Sequence, residues 1–250
     1  MISAVLITKN EEKNIARCLK SIDWVDEIVI LDSGSIDETL EIAKKFKAKI
    51  YTTKWLGFGK TKQLAVSHAL NKWVLSIDAD EEVSDELKTE IQNILAKNVS
   101  KNIFAYRIKR SSFYLNRLIK YSGWQKDYPV RLFNKEKCNF NDEVVHESVT
   151  VCQKNLSQIE SKLFHYPYHS ISHHVKKIDH YTTLGADKLF QKGQKSTIYF
   201  AILSSFAKFF KMYIIKMGFL DGKEGFVLCT LSSYSNFLKY IKLWAKSSRL

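Results

Sequence analysis

Two aspartates, Asp78 and Asp80, follow an apolar stretch of strand length, Trp73–Ile77. A buried strand that ends in this way places both carboxylates at the carboxyl edge of its sheet, where open α/β sheets bind ligands. Paired oxygen ligands of this kind suit Mg²⁺ or Mn²⁺ shared with substrate phosphates. Asp-x-Asp is a common pattern, and the alternative is a polar turn that caps the following helix.

Polar residues also follow the two earlier strands, Ile2–Ile7 and Glu27–Leu31. Helical spacing of apolar residues predicts helices between the strands, and strands alternating with helices predict a parallel sheet with right-handed crossovers. Asn10, Asp37 and Ser84 are the predicted caps of three of these helices. The polar strand ends should therefore meet at one edge, and they are Thr8, Asn10, Glu11 and Asp32 together with the two aspartates.

No glycine-rich phosphate loop of the dinucleotide-binding or P-loop type follows the first strand. The predicted pocket offers carboxylates instead, which accept hydrogen bonds from a base or a ribose and hold a metal that neutralises a diphosphate. This argues against a dinucleotide-binding protein and a P-loop NTPase.

Charge is unevenly distributed along the 250 residues. Residues 1–95 hold 13 basic and 16 acidic side chains, whereas residues 96–250 hold 26 and 10. A basic surface attracts phosphate-rich partners such as nucleic acid, anionic lipid or a phosphorylated glycolipid. The four cysteines have neither zinc-ligand nor redox spacing, and no export signal is evident, so we expect free thiols in the cytoplasm.

These motifs resemble glycosyltransferase family 2, whose members have the GT-A fold. The resemblance in the first half rests on three motifs: Thr8-x-Asn10-Glu11, Ile30-Leu31-Asp32-Ser33-Gly34-Ser35-x-Asp37-x-Thr39 and Ile77-Asp78-Ala79-Asp80. Motifs in the second half resemble a bacterial branch that builds the lipopolysaccharide inner core or related glycans: Arg131-Leu132-Phe133, Val145-His146-Glu147, His165-Tyr166 and Gly218-Phe219-Leu220-Asp221-Gly222.

The resemblance implies metal-dependent, inverting transfer of a sugar from a nucleotide donor, often a UDP-sugar. By position, Asp32 would contact the base, Glu11 the ribose, and Thr8 would line the base pocket. Asp80 would ligate Mn²⁺ or Mg²⁺, with Asp78 near the ribose or the metal. The remaining predicted donor-binding residues are Asn10, Ser33 and Gln63, the last at a position where related enzymes often carry Asn.

The catalytic base is expected in the segment 141–147, which holds three carboxylates. Inverting transfer needs a group that takes the proton of the acceptor hydroxyl. Glu147 is our first candidate, with Asp142 and Glu143 as alternatives, and an ordinary polar turn is the competing interpretation.

One arginine and two histidines complete the predicted site. Arg131 is suited to bidentate binding of a diphosphate or an anionic acceptor, or to a structural ion pair. His146 would orient Glu147 or the acceptor, or lie at the surface. His165 would be a third metal ligand, which suits Mn²⁺ better than Mg²⁺. Its neighbouring histidines lack a cysteine or acidic partner at zinc spacing.

The last segment, 193–250, is helical in pattern, aromatic and basic. Its longest uncharged runs have 12 and 14 residues, which are too short to cross a bilayer. A basic helical stripe predicts an interfacial helix on anionic lipid, and it consists of Lys239, Lys242, Lys246 and Arg249. The alternative is a helical hairpin, with its turn at Gly218–Gly222, that packs on the domain or forms a dimer.

We therefore predict an α/β protein with a GT-A, mostly parallel sheet flanked by helices and a C-terminal membrane-associating appendage. Residues 1–100 would bind the nucleotide-sugar, 101–192 the lipid-linked or glycan acceptor, and 193–250 the inner face of the plasma membrane. The expected activity is transfer from a UDP-hexose to an acceptor such as the lipopolysaccharide core. A nucleotidyltransferase would carry a loop rich in Gly, Arg or Lys after the first strand, and a nucleic-acid-binding protein would leave the acidic cleft unexplained.

Overall fold

The computed structural model describes residues 1–96, 102–142 and 147–248. The chain forms two compact units. We call residues 1–110 with 127–165 the sheet unit, and residues 111–126 with 166–250 the helical unit. The sequence-based division at residues 100 and 192 concerned ligand binding, and it stays a prediction.

The described residues contain eleven strands and seven α-helices. In chain order the strands are β1 (Ile2–Thr8), β2 (Glu27–Asp32), β3 (Lys49–Thr52), β4 (Trp73–Ser76), β5 (Glu81–Val83), β6 (Ala105–Tyr114), β7 (Arg117–Leu118), β8 (Val130–Asn134), β9 (Asn139–Phe140), β10 (Val149–Thr150) and β11 (Leu156–His165). The helices are α1 (Ile15–Ser21), α2 (Thr39–Lys44), α3 (Phe58–Ser67), α4 (Asp85–Ala96), α5 (Ile171–Gln191), α6 (Ile198–Phe210) and α7 (Gly222–Ser247).

The main sheet has the strand order β3-β2-β1-β4-β8-β6-β11-β5. β1 pairs in parallel with β2 and β4, and β2 pairs in parallel with β3. β8 is antiparallel to β4 and β6, and β5 is antiparallel to β11. The predicted α/β fold is confirmed, and its parallel part is β1 to β4. Parallel neighbouring strands need a crossover connection, which is usually a helix. No helix separates β6 from β8, which agrees with their antiparallel pairing.

Alternate side chains of β1 enter hydrophobic clusters on the two faces of the sheet. Leu6 packs with Ile15 and Leu19 of α1. Val5 packs with Ala65 and other residues of α3 on the opposite face. Since side chains alternate along a strand with period two, a strand buried on both faces must be largely apolar, and in β1 the exceptions are the buried hydroxyl residues Ser3 and Thr8.

The predicted helix caps met different outcomes. Ser84 caps α4 by accepting a hydrogen bond from the N–H of Leu87 at 3.2 Å, which confirms the prediction. The prediction that Asn10 caps the first helix is wrong, because α1 begins at Ile15. Asn10 has a φ of 57°, and its side-chain oxygen accepts from the N–H of Ile36 at 2.9 Å instead. Asparagine tolerates this left-handed conformation, so it suits a loop as well as a cap.

The helical unit contains α5, α6 and α7, and α7 packs against both of the others. α6 continues as a π-helical segment over 211–215, and a 3-10 turn over 218–221 leads into α7. The helical character predicted for this segment is confirmed, and its arrangement is the hairpin with a turn near Gly218 that the sequence left as the alternative; association with a membrane stays a prediction. By length and composition alone, the helical stretch Ile198–Ile215 suffices to cross a membrane. The sequence-based expectation that no segment could cross a bilayer rested on the length of uncharged runs. The helical stretch is longer than those runs because it continues through Lys208 and Lys211.

The turn before α7 is tightly packed. The buried carboxylate of Asp221 accepts hydrogen bonds from the N–H groups of Lys120 at 2.9 Å and Tyr121 at 3.0 Å, and from the hydroxyl of Ser122 at 2.8 Å. A Cβ added at Gly225 would lie 2.2 Å from the backbone oxygen of Gly218. Backbone atoms of the two segments therefore meet where any side chain at residue 225 would collide.

We predict that Gly225→Ala lowers the unfolding free energy by about 1–3 kcal/mol, because the added methyl group must displace backbone. Gly185→Ala in α5 is the matched control, since its Cβ would meet only a flexible methylene of Lys239 at 3.3 Å. Alanine is the better helix former, so the control should be neutral or stabilising. Denaturant unfolding of both variants measures the difference, and equal stabilities would contradict the packing described.

Candidate functional site

The ends of β1 and β2 lie side by side, as the sequence predicts, with Thr8 and Asp32 as register partners. The carboxylate of Asp32 is 1% exposed. One of its oxygens accepts from the N–H groups of Gly34 and Ser35, each at 2.8 Å. The other accepts from the hydroxyls of Thr8 at 3.1 Å and Ser35 at 2.5 Å. Asp32 thus holds the loop after β2, and its contact with a nucleotide base stays a prediction.

The loop after β1 is fastened to the loop after β2. The N–H of Asn10 donates to the hydroxyl of Ser35 at 2.9 Å, and the N–H of Glu11 donates to the hydroxyl of Thr39 at 2.7 Å. The buried hydroxyl of Ser33 has no hydrogen-bond partner among the described residues. Buried hydroxyls are nearly always hydrogen-bonded, so Ser33 is available to a ligand that enters this edge.

Asp78 lies at the same edge, after β4, and its two oxygens are held by two buried cations. The ammonium of Lys62, from α3, is 2.9 Å from Oδ1. The Nη2 of Arg131, from β8, donates to Oδ2. Burial alone would raise the pKa of this carboxyl, but the charges of Arg131 and Lys62 hold it well below its usual value. Asp78 is therefore ionised and fully engaged by side chains of this protein.

Arg131 also donates to the fully buried carboxylate of Glu81 at 2.6 Å. Arg110 donates to the same oxygen of Glu81 at 3.1 Å and to Asp127 at 2.7 Å. The structural ion pair that the sequence allowed for Arg131 is thus present. The Nε of Arg131 is buried and lacks a hydrogen-bond partner within the described part of the chain, which leaves one donor for an anion.

Lys62 reaches a second carboxylate, that of Glu147, at 2.8 Å. The first candidate for the catalytic base is thereby tied to the same ammonium as Asp78. Gln63, the next residue of α3, donates to Asp142 at 2.7 Å and to the backbone oxygen of Phe140 at 2.6 Å. α3 therefore places two candidate bases at this edge. The other two residues predicted here, Glu143 and His146, lie outside the described residues.

Asp80 and His165 are brought together by strand register. His165, the last residue of β11, is the register partner of Glu81, the first residue of β5. Its Nε2 lies 3.7 Å from the nearer carboxylate oxygen of Asp80. Within the described residues, no group of three or more His, Cys, Asp or Glu side chains is arranged to hold a metal ion. A cation shared with substrate phosphates needs only one or two protein ligands, and this pair meets that requirement.

The pKa of the buried Cys18 thiol is raised in part by these carboxylates. The thiol lies beneath them, 3.5 Å from the backbone oxygen of Asp78. Burial raises its pKa most, and the charges of Glu81, Asp80 and Asp78 raise it further.

Four residues of this network were missed from the sequence: Lys62, Glu81, Arg110 and Asp127. Lys62 carried a signal, since it precedes the apolar Ala65 and Val66 by three and four positions and so shares their buried helix face. A charge on the apolar face of a helix needs a buried partner. That partner, Glu147, is 85 positions away in the sequence, so the pattern does not reveal it.

The sequence of this chain is similar to those of known glycosyltransferases. The model of Glycosyl transferase family 2 matches residues 3–152. An uncharacterized glycosyltransferase of Rickettsia typhi is 35% identical, over 97% of this chain and 86% of its own. The chain belongs to glycosyl transferase family 2. The predicted resemblance is confirmed, and the protein is a glycosyltransferase.

Two further matches of this family 2 glycosyltransferase were found. The lipopolysaccharide core biosynthesis glycosyltransferase LpsC of Rhizobium meliloti is 25% identical, over 98% of this chain and 92% of its own. The crystal structure of S. aureus TarS superposes with a TM-score of 0.46 and 16% identity, over 69% of this chain and 38% of that chain. The mixed sheet is the GT-A fold predicted for the family. Membership removes the support for a nucleotidyltransferase or a nucleic-acid-binding protein.

We predict that Lys62→Met lowers the unfolding free energy by about 3 kcal/mol, because it leaves Asp78 and Glu147 without their shared cation. Lys60→Met is the matched control, since Lys60 lies on the same helix and is exposed. It should leave stability within about 0.5 kcal/mol. Denaturant unfolding compares the variants, and a loss of the same size in both would show that the buried ammonium has no special role.

Proposed function

We propose that this glycosyltransferase moves a hexose from a UDP-sugar, with inversion, to a lipid-linked glycan such as the lipopolysaccharide core. The observation that carries the proposal is that the two aspartates of the Asp-x-Asp motif have different partners at one sheet edge. Asp78 is engaged by Lys62 and Arg131, whereas Asp80 lies beside His165. Neighbouring carboxylates in such different environments serve different roles. The core-biosynthesis name of the Rhizobium relative supports the acceptor class.

In this proposal Asp80 and His165 hold Mn²⁺ or Mg²⁺ next to the donor diphosphate. The cation supplies neutralisation of the negative charge that develops on the leaving group. A carboxylate and an imidazole together favour Mn²⁺ over Mg²⁺. The Nε of Arg131 is a further donor available to a diphosphate oxygen.

Glu147 is the proposed base, held by Lys62. The acceptor hydroxyl oxygen bonds to the anomeric carbon as the bond from that carbon to the diphosphate oxygen breaks. The hydroxyl proton passes to the carboxylate of Glu147, and UDP leaves with the bonding electron pair. Attack from the face opposite the leaving group inverts the anomeric centre.

Donor binding is tested by calorimetric titration of UDP into the protein with and without Mn²⁺. We expect Mn²⁺-dependent binding that weakens at least about tenfold in Asp80→Asn, because a neutral amide is a poorer cation ligand. Asp23→Asn is the control, since Asp23 is an exposed aspartate of the same unit. UDP binding that ignores Mn²⁺, or that survives Asp80→Asn unchanged, would contradict the proposed site.

A further inference from the structure

One face of α6 exposes four large apolar side chains in a helical row. These residues are Tyr199, Leu203, Phe206 and Phe210, and their exposed fractions are 81%, 69%, 71% and 56%. Their spacings of four, three and four positions place them on one side of the helix. We call them the apolar stripe. A contiguous exposed patch of this kind marks an interaction surface.

The opposite face of α6 is fixed to α7 by polar contacts. Ser205 is buried, and it exchanges two hydrogen bonds with Ser233, hydroxyl to backbone oxygen in each direction, at 3.2 and 2.7 Å. Asn236 donates to the hydroxyl of Ser204 at 3.0 Å. The ring of Phe200 packs edge-on against Tyr240. These contacts with α7 determine the orientation of α6, and the four residues of the stripe stay exposed.

The segment that carries the stripe has a single sign of charge. Residues 188–220 contain six lysines and no acidic residue. Burial, and then repulsion by the charge of Lys239, lower the pKa of Lys208. An anionic surface relieves this repulsion, whereas a second copy of the same segment adds to it.

Two of the three lysines of α7 in the predicted basic stripe, Lys242 and Lys246, have polar partners inside the helical unit. Lys242 donates to the carboxylate of Asp179 and to the hydroxyl of Thr183, each at 2.7 Å. Lys246 is 2.6 Å from Asp187. Both acidic partners lie on α5, so this stripe serves helix packing, and the element that is open to a partner is α6. Arg249, the last member of the stripe, lies outside the described residues.

We infer that α6 lies in the plane of an anionic bilayer, with the apolar stripe inserted at the boundary of headgroups and acyl chains. The inference rests on the proposed function in one respect, since a lipid-linked acceptor would be presented at that surface. An amphipathic helix with lysines beside an apolar face has the composition of such interfacial elements. Surface attachment raises the effective concentration of the enzyme near its acceptor.

The contacts of α6 favour an in-plane helix over a spanning one. The 18 residues of Ile198–Ile215 would measure about 27 Å, nearly the thickness of a hydrocarbon core. A spanning helix would have to place Lys208 and Lys211 and the polar contacts with α7 in that core, which is costly. The apolar surface continues beyond the stripe in the exposed residues Ile214, Ile215, Met217, Phe219 and Leu220.

The test is co-sedimentation of the full chain with vesicles of phosphatidylcholine, with or without phosphatidylglycerol. We expect binding that requires phosphatidylglycerol and falls as salt is raised. Phe206→Glu should weaken vesicle binding at least about tenfold, because an aromatic ring that inserts into the bilayer is replaced by a charge. Leu70→Glu is the matched control, since Leu70 is 74% exposed in the sheet unit, and it should bind as the wild type does.

Three results would overturn the inference. The first is absence of binding to anionic vesicles, and the second is equal binding by Phe206→Glu and the wild type. The third is retention on vesicles after an alkaline carbonate wash, which indicates a spanning helix. Light scattering of the same samples reports a dimer, and a dimer lost in Phe206→Glu without a change in vesicle binding would assign the stripe to a second copy. UDP titration of Phe206→Glu measures donor binding independently of vesicle binding. A failure of the proposed donor site can therefore be distinguished from a failure of the proposed membrane contact.

Discussion

The carboxylate of Asp78, clamped between two buried cations, is the constraint on which the site depends. Lys62 and Arg131 are each 4% exposed, and a buried charge without a partner costs several kcal/mol. Each cation therefore requires its carboxylates, and the row runs from Glu147 through Lys62, Asp78 and Arg131 to Glu81. These charges come from four separate segments of the chain, because Asp78 and Glu81 lie on the same turn. Their pairing fixes the relative positions of α3, β5 and β8 at the edge where the donor is proposed to bind.

In this arrangement the two aspartates of the Asp-x-Asp motif have different surroundings. The oxygens of Asp78 are engaged by protein cations, so this residue organises the site. Asp80 lies two positions further on, where the register of β5 with β11 brings His165 within 3.7 Å. The same lysine that neutralises Asp78 also holds Glu147, so donor-side and acceptor-side carboxylates share one ammonium.

The α/β fold and the meeting of polar strand ends at one edge were predictable, because both follow from short-range patterns. Apolar runs that end in carboxylates locate the strands and their polar edge, and Thr8 and Asp32 meet there as predicted. The partners of Lys62 depend on contacts distant in sequence, and no local pattern specifies them. Periodicity likewise places Lys242 and Lys246 on one side of a helix, but it does not tell whether that side faces solvent or α5. The loop role of Asn10 was missed because asparagine suits caps and left-handed turns equally.

The most direct test of the charge network is a double-mutant cycle on Lys62 and Asp78. Unfolding free energies would be measured at neutral pH for the wild type, Lys62→Met, Asp78→Asn and the double variant. Because each single change leaves the other charge buried without its partner, we expect the double variant to lose at least about 1 kcal/mol less than the sum of the single losses. Losses that add to within about 0.5 kcal/mol would show that the two side chains do not stabilise one another, and would contradict the account.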